Sequence, residues 1–306
     1  MPDIVTQPTQ VETERHMTLA EERWTETPAD RSTAELDRVA GRENFPVASR
    51  LLPPHARDKV VAFYRFARAA DDIADDPDTT SRTKLARLDD FAQGLSGRGT
   101  AGPAVALRRA LHEGRAPSDT AALASAEALL GAFRRDAGGI ACADWADLMT
   151  YCDASAVPVG RFLLAVHGED AATHAPSDAL CAALQVLNHL QDIGPDRRDL
   201  GRRYLPGDWM VEEGARDADL GGPALTPALR RVVDRTLTAT DALLAQAAPL
   251  PCRIAARGLR IQAAATLALA RRLHARLRRG DPLARRVALR RADFALAGLQ
   301  SLRFAP

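Results

Sequence analysis

A chain of 306 residues, 46% of them hydrophobic, is long enough to bury a substantial core. Its formal net charge of +1 excludes a uniformly basic or acidic protein. Aromatic residues make up only 5% of the chain and β-branched residues are sparse, a composition that favours helix over sheet.

The charge is unevenly distributed along the chain. Residues 253–306 contain 13 arginines against two aspartates, Asp281 and Asp293, a local balance of +11. Such asymmetry indicates an anionic partner, which could be nucleic acid, a membrane surface or phosphate. The alternative is that these arginines only line solvated helix faces.

The four cysteines and the hydropathy pattern predict the cellular compartment of the protein. Cys142, Cys152, Cys181 and Cys252 show no C-x-x-C pairing, which is typical of thiols in a reducing compartment. No apolar run approaches the ~18 residues of a membrane span, and the acidic N-terminus is unlike a signal peptide. We therefore expect a cytoplasmic protein, with peripheral membrane contact left open.

The predicted elements are all helices. Residues 1–35 are polar and without periodicity, which predicts a flexible leader before one helical domain at 36–306. Three prolines, at 46, 53 and 54, predict a short helix or loop ahead of the first long helix. Gly194-Pro195 is expected to end the helix that begins at 177, and a break is expected near Pro158 and Gly160. The predicted helices are 55–76, 81–95, 102–113, 117–136, 146–168, 177–193, 223–251, 252–279 and 283–301.

Aspartates crowd the end of the first long helix, in the stretch FARAADDIADDPD (66–78). Acids are disfavoured there because the helix dipole is negative at its C-terminal end. Residues three and four apart share a helix face, so one polar stripe is predicted. It contains Tyr64, Arg68, Asp71 and Asp75, with Asp72 on its flank.

A second polar stripe lies in the apolar stretch LQVLNHLQDIGPDRRDLGRRYLP (184–206). Gln185, Asn188 and Asp192 share one helix face, and Asp196 continues the stripe if the helix persists that far. Polar groups in such an apolar segment need partners. Arginines follow at 197, 198, 202 and 203.

Two carboxylate stripes with arginines nearby suit the binding of Mg²⁺ against a diphosphate. Mg²⁺ takes few carboxylates and keeps substrate oxygens and water as its other ligands. The metal would neutralise a departing pyrophosphate. A single D-x-x-x-D on a helix is usually solvated surface, but two stripes together with arginines favour a metal site.

Four stretches carry a resemblance to a known family: ENFPVASRLLP (43–53), VVAFYRFARAADDIADDP (60–77), YCDASAVPVGRFLL (151–164) and LNHLQDIGPDRRDLGRRYLP (187–206). Over about residues 40–300 the chain resembles the head-to-head squalene and phytoene synthases. The ENFPVAS variant points to the branch that forms hydroxysqualene in bacterial hopanoid biosynthesis. The fold implied is an all-α, single-domain isoprenoid synthase bundle around a deep apolar cavity.

The resemblance implies a role for each matching residue. The metal ligands would be Asp71, Asp72, Asp75, Asn188, Asp192 and Asp196, and the same aspartates with Tyr64 would be catalytic. Substrate-binding residues would be Arg68, Gln185, Asn188, Arg202, Tyr204, Phe45, Phe63 and Phe66. The family usually has an acidic residue before the last aspartate, where this chain has Pro195, which could displace Asp196.

The reaction implied is ionisation of presqualene diphosphate, assisted by two or three Mg²⁺ ions, followed by rearrangement and capture of water as hydroxysqualene. Pyrophosphate itself could serve as the base, so His167 and His189 are interpreted as structural. Phe63, Phe66 and Phe162 either line the apolar tunnel or belong to the ordinary core. No G-x-G-x-x-G follows a strand, so NADPH is not expected.

Three other interpretations stay open. Within the family, the chain could make presqualene diphosphate from two farnesyl diphosphates or phytoene from two geranylgeranyl diphosphates. An Arg-rich helical protein that binds nucleic acid or membrane is possible, but nucleic acid is not the expected partner because it leaves the aspartate stripes unexplained. A scaffold without catalysis would be favoured if Pro195 destroys the second metal position. The oligomeric state is not predicted.

Overall fold

The computed structural model describes residues 52–111 and 116–305. Within these ranges no β-strand forms, and the one β-bridge joins Ala141 to Arg203. Three 3₁₀ turns lie at Ala171–Thr173, Asp217–Gly221 and Leu302–Phe304. The helices are α1 Pro54–Asp75, α2 Ser81–Leu95, α3 Gly102–Ala110, α4 Pro117–Ala137, α5 Trp145–Ser155, α6 Val157–His167, α7 His174–Gln191, α8 Ile193–Asp199, α9 Gly207–Glu213, α10 Pro227–Ala247, α11 Leu250–Arg253, α12 Arg257–Leu277 and α13 Arg291–Ser301.

Prolines and capping side chains set many of these boundaries. Proline lies in the first turn of α1 and α10, where its missing N–H costs no helical hydrogen bond. Thr80 caps α2 by accepting a hydrogen bond from the backbone N–H of Thr83, and Asp144 caps α5 through Asp147. The predicted bounds of α2 are confirmed to the residue.

The predicted end of the second-motif helix is wrong by two residues. Helix α7 ends at Gln191, and Asp192 is both its C-cap and the residue before α8. Gly194 and Pro195 lie in the first turn of α8, where proline fits because no intrahelical N–H bond is needed there. Asp196 is therefore not on the same helix as Gln185, although its N–H donates to the Asp192 carbonyl at 2.8 Å.

The helix predicted at 283–301 begins only at Arg291. The Asp281 carboxylate accepts hydrogen bonds from the backbone N–H groups of Leu283 and Ala284, and its carbonyl accepts the Arg285 N–H. Asp281 thus caps a single turn that does not continue as a helix. The segment 285–290 instead runs without helix, and its Val287 carbonyl accepts a hydrogen bond from the Gln191 side chain. A polar side chain from α7 thus holds this segment beside the second motif.

The break predicted near Pro158 and Gly160 falls at Ala156, between α5 and α6. Pro158 lies in the first turn of α6, and Gly160 lies inside that helix. A Cβ at position 160 would come within 2.6 Å of the Cys181 Sγ and 2.7 Å of the Ser177 Oγ. This glycine therefore allows the close approach of α6 and α7 rather than ending a helix.

The buried side chains form two clusters that share α4 and α6. The first is made by α1, α2 and α3 with parts of α4 and α6, and it contains Phe63, Phe66 and Phe162. The second is built around α5, α7, α10 and α12. The C-terminal ends of α1 and α4 and the loop after α8 meet between the clusters. That meeting place holds the candidate site.

Candidate active site

The first aspartate motif occupies the last turn of α1. Arg68 lies 3.2 Å from an Asp71 oxygen and 3.1 Å from an Asp72 oxygen. Arg68 and Asp72 are exposed, whereas Asp71 is partly buried. Desolvation and repulsion from Asp75, only partly offset by Arg68, raise the pKa of Asp71 to about 7. The motif therefore gathers more negative charge than its arginine neutralises.

The last two aspartates of the stretch have a different role. Asp76 follows the end of α1 and accepts hydrogen bonds from the Thr79 hydroxyl and the Asp78 N–H. The Thr79 hydrogen bond and then the Asp78 hydrogen bond lower the pKa of Asp76. Asp76 thus stabilises the turn into α2, and Asp78 is exposed.

A buried arginine connects the first motif to the second. Arg202, in the loop after α8, has a side chain only 7% exposed, and its Nη2 lies 2.7 Å from the Asp75 Oδ1. The same nitrogen lies 3.5 Å from the Asp136 carbonyl oxygen. A guanidinium is seldom buried without acidic partners. Arg202, which the resemblance predicts to lie near the diphosphate, therefore contacts the first aspartate motif directly.

Asp136 and Tyr151, which the predicted site did not include, are buried beside Arg202. The Tyr151 hydroxyl donates to the Asp136 carboxylate, at 3.1 Å from both oxygens. Burial raises the pKa of Asp136, against the lowering effect of Arg202. Asp136 was detectable in principle, because it lies at the C-terminal end of α4 and repeats the unfavourable placement of an acid seen in α1.

Side chains of α7 and the following loop form the opposite wall. The His189 ring stacks on Tyr204, with centroids 3.5 Å apart and planes inclined by 14°. The His189 Nε2 contacts the Gln185 amide at 3.1 Å, and its Nδ1 lies 3.8 Å from an Asp196 oxygen. A small cavity of about 10 Å³ is lined partly by His189, Asp196, Arg202 and Tyr204. Pro195 therefore does not remove Asp196 from this site.

Asp192 is held by an arginine that the sequence analysis did not single out. The Arg286 Nε lies 3.3 Å from the Asp192 Oδ1, and its Nη2 lies 3.4 Å from the Oδ2. Burial raises the pKa of Asp192 despite the lowering effect of Arg286. Arg286 belongs to the segment after α12, so no short-range pattern connects it to Asp192.

The remaining predicted residues lie around this centre. Tyr64 and Asn188 are half-buried, and the Asn188 carbonyl accepts the Asp192 N–H at 3.0 Å. Phe63 and Phe66 are buried, and Phe63 stacks on Phe162 with ring centroids 3.9 Å apart. Their part in binding substrate stays a prediction. Phe45 and the predicted short helix or loop before α1 lie largely outside the described residues, as does the leader at 1–35.

The donor set fits a hard cation, although the site is not a preformed cage. Among residues 52–111 and 116–305, no three His, Cys, Asp or Glu side chains converge to hold a metal ion. The available donors are carboxylate oxygens, and their mutual repulsion at Asp71 is the charge imbalance that a divalent cation would relieve. Mg²⁺ needs only one or two carboxylates when substrate phosphates supply other ligands.

An all-α bundle with aspartate motifs on two helices, connected through a buried arginine, defines a helical isoprenoid synthase. The chain belongs to the squalene/phytoene synthase family, whose model matches residues 39–293. Family membership confirms the predicted resemblance and fold class, and it identifies the chain as an enzyme. The family match also favours this interpretation over a nucleic-acid binder.

Relatives from two branches of the family differ in how similar they are to this chain. The chain is 43% identical to the hydroxysqualene synthase of Rhodopseudomonas palustris, over 85% of this chain and 88% of that protein. It is 40% identical to the hydroxysqualene synthase of Zymomonas mobilis, over 82% and 84% of the two chains. The phytoene synthase of Rhodobacter capsulatus is less similar, with 35% identity over 70% of this chain and 65% of that protein.

Solved structures show the same fold. The squalene synthase of Alicyclobacillus acidocaldarius superposes with a TM-score of 0.68 at 29% identity, covering 81% of this chain and 93% of that one. A dehydrosqualene synthase solved with a ligand gives a TM-score of 0.73 at 20% identity, over 90% and 96%.

Proposed function

We propose that this chain is a hydroxysqualene synthase, converting presqualene diphosphate and water into hydroxysqualene and diphosphate. The observation that carries the proposal is the Asp75–Arg202 ion pair, because it joins the two stretches of sequence that are proposed to bind the diphosphate. The choice of reaction within the family rests on similarity to hydroxysqualene synthases over more than four-fifths of the chain.

The aspartates are proposed to hold Mg²⁺ together with the substrate diphosphate. Asp71, Asp72 and Asp75 would bind on the α1 side, and Asp192, Asp196 and Asn188 on the α7 side. When bound, the metal would act as a Lewis acid that stabilises the departing diphosphate. Two or three ions are expected, and no nicotinamide cofactor takes part in the proposed reaction.

Arg202 and Arg68 are proposed to bind the diphosphate and to orient it in the site. Arg202 has little freedom, because its buried side chain already contacts Asp75 and the Asp136 carbonyl. A planar guanidinium can offer two parallel hydrogen bonds to phosphate oxygens, which a lysine cannot. Arg68, exposed at the mouth of the site, would contact the substrate first. Gln185 and Tyr204, already fixed by His189, would complete the wall around it.

The remaining chemistry needs no cofactor beyond the metal. The carbon–oxygen bond to diphosphate breaks and its electron pair leaves with the diphosphate. After rearrangement, the oxygen of water forms the new carbon–oxygen bond, and the surplus proton passes to the diphosphate. The half-buried Tyr64 could stabilise the cation through its ring, and Phe45, Phe63 and Phe66 would enclose the hydrocarbon.

The other family reactions, and a scaffold without catalysis, are the alternatives to be tested. Asp196 remains beside His189 despite Pro195, which argues against loss of the second motif. We propose a cytoplasmic location with peripheral membrane contact, supported by the basic C-terminal region and the four free cysteines. No helix in the described part of the chain is long and apolar enough to cross a membrane.

The test is product analysis by mass spectrometry with three substrates offered separately: presqualene diphosphate, farnesyl diphosphate and geranylgeranyl diphosphate. With Mg²⁺ and without NADPH, presqualene diphosphate should yield hydroxysqualene, and excess EDTA should abolish the product. Presqualene diphosphate formed from farnesyl diphosphate, or phytoene formed from geranylgeranyl diphosphate, as the main product would refute the assignment. Full turnover in EDTA would refute the metal role.

A further inference from the structure

The C-terminal helix α13 buries two polar residues, Asp293 and Ser301, and exposes its large apolar side chains. Asp293, Ala297 and Ser301 are buried against the rest of the protein. Four large apolar side chains of α13 and the turn that follows it point to solvent instead: Phe294 is 42% exposed, Leu296 45%, Leu299 67% and Leu302 57%. This is the reverse of a normal surface helix.

Specific contacts fix this orientation. The Asp293 carboxylate lies 2.6 Å from the Arg276 guanidinium of α12 and accepts the Arg290 N–H at 2.7 Å. The Arg290 contact lies within the first turn of α13 itself, whereas a rotation of α13 that buried its leucines would break the ion pair between Asp293 and Arg276. The outward position of these apolar side chains is therefore built into the fold, and several exposed large apolar residues in one short segment indicate a candidate interaction site.

A basic groove borders this face. It has a volume of about 550 Å³ and runs along the end of α12 and the segment that leads into α13. Its only acidic lining residue is Asp293, whose charge is already matched by Arg276. Arg291 and Arg303 add positive charge at the two ends of the apolar face. The Arg286 side chain, which also lines the groove, is already paired with Asp192 of the candidate active site. The other arginines that line the groove are Arg272, Arg276, Arg279, Arg285 and Arg290.

We propose that α13 and its arginine groove form a docking surface for an anionic phospholipid bilayer. The leucines and Phe294 would enter the headgroup and acyl boundary, while the arginines bind headgroup phosphates. A second copy of the chain fits less well, since a symmetric contact through this face would place arginines against arginines. Nucleic acid would give the exposed leucines no partner. The proposal names the surface for the membrane contact proposed above, and it does not depend on the reaction catalysed.

The experiment is flotation of the full chain with vesicles of phosphatidylcholine, alone or with phosphatidylglycerol added. The wild type should float with the anionic vesicles and stay behind with the neutral ones. The double variant Leu299→Ser/Leu302→Ser should bind about tenfold more weakly. Its matched control is Val211→Ser on α9, which removes an apolar side chain that is 80% exposed and distant in sequence, and which should bind like the wild type.

Charge is tested separately at the start of the helix. Arg291→Glu should weaken binding to anionic vesicles about fivefold or more, because it reverses one charge beside the membrane. The substitution is compatible with the helix, since an acidic residue is favourable in a first turn. Arg82→Glu, at an exposed position on α2, is the control and should have little effect.

Three outcomes would overturn the proposal. One is flotation that is equal on neutral and anionic vesicles or unchanged by Leu299→Ser/Leu302→Ser. Another is absence of flotation, which would indicate that another part of this chain or another protein covers the apolar side chains of α13. The third is a lipid-free dimer, seen by light scattering, that the double variant converts to monomer.

Activity of the same variants separates this proposal from the proposed reaction. None of the substituted residues belongs to the candidate active site, so turnover of detergent-dispersed presqualene diphosphate should match the wild type. Normal flotation with the wrong product would refute the reaction alone. The expected product without flotation would refute the docking surface alone.

Discussion

Replacing Arg202 by glutamine tests the contact that unites the two halves of the site. The substitution keeps a polar amide but shortens the side chain and removes the charge that faces Asp75. It also leaves the nearby Asp136, whose pKa burial already raises, without the cation that lowers it. Asp75 should therefore lose its ion-pair partner and Asp136 its neighbouring cation, so the folded state should lose free energy.

The size of the loss follows from the exposure of the two partners. Breaking a fully buried ion pair costs about 3–5 kcal/mol, whereas exposed pairs contribute up to about 1 kcal/mol. Arg202 is 7% exposed but Asp75 is 36% exposed, so an intermediate loss of about 2–3 kcal/mol is expected. For a chain of this length that corresponds to a fall in Tm of about 4–6 °C.

The assay is urea unfolding at pH 7, followed by circular dichroism, for the wild type, Arg202→Gln, Asp75→Asn and the double variant. The double-mutant cycle should show coupling of at least about 1 kcal/mol. The control is Arg68→Gln, which breaks pairs that are more than one-third exposed and should cost less than about 1 kcal/mol. If Arg202→Gln costs no more than Arg68→Gln, or shows no coupling to Asp75, the proposed junction is refuted.

Three further predictions concern packing, acid stability and catalysis. Gly160→Ala should destabilise the protein by about 1–3 kcal/mol in the same urea assay, because the added Cβ would collide with side chains of α7. The control is Gly131→Ala on α4, where an added Cβ would meet no atom within 4 Å, and this variant should be as stable as the wild type or more stable. Burial would raise the pKa of Asp293, but the Arg290 N–H and Arg276 hold it below its usual range. The ionised form of Asp293 therefore stabilises the fold above the ordinary pKa of an aspartate, and this contribution is lost as the pH falls through the lowered pKa of Asp293. The Asp293→Asn variant should consequently lose less stability between pH 6 and pH 3 than the wild type. The control, Asp90→Asn at an exposed position, should behave like the wild type. Asp192→Asn should reduce turnover of presqualene diphosphate by about a hundredfold or more with little change in Tm, and wild-type turnover would contradict the metal assignment.

Local rules accounted for α1 to α4 to within three residues at each end and for the first motif, whereas the short helices α8, α9 and α11 were not predicted. Proline, capping threonine and apolar spacing are short-range signals, so α2 and the end of α1 could be read directly from the sequence. They failed where contacts distant in sequence are involved. The Gln191 side chain contacts the non-helical segment before α13, and Gly160 reflects close packing against α7 rather than a break.

The composition of the candidate site was harder to predict, because its key contacts span large sequence separations. Asp136 and Asp75 meet Arg202 only in the folded bundle, and Arg286 reaches Asp192 from another part of the chain. The sequence stretch around Tyr151 was recognised, but nothing local indicated its hydrogen bond to Asp136. Periodicity places residues on faces, and it cannot say which faces meet.

The central claim is that this site ionises presqualene diphosphate and delivers water to the resulting cation. Incubation with presqualene diphosphate and Mg²⁺ in ¹⁸O-labelled water, without NADPH, tests it in one measurement. Mass spectrometry should find hydroxysqualene carrying the heavy oxygen. A hydrocarbon product, an unlabelled alcohol or unchanged substrate would contradict the account.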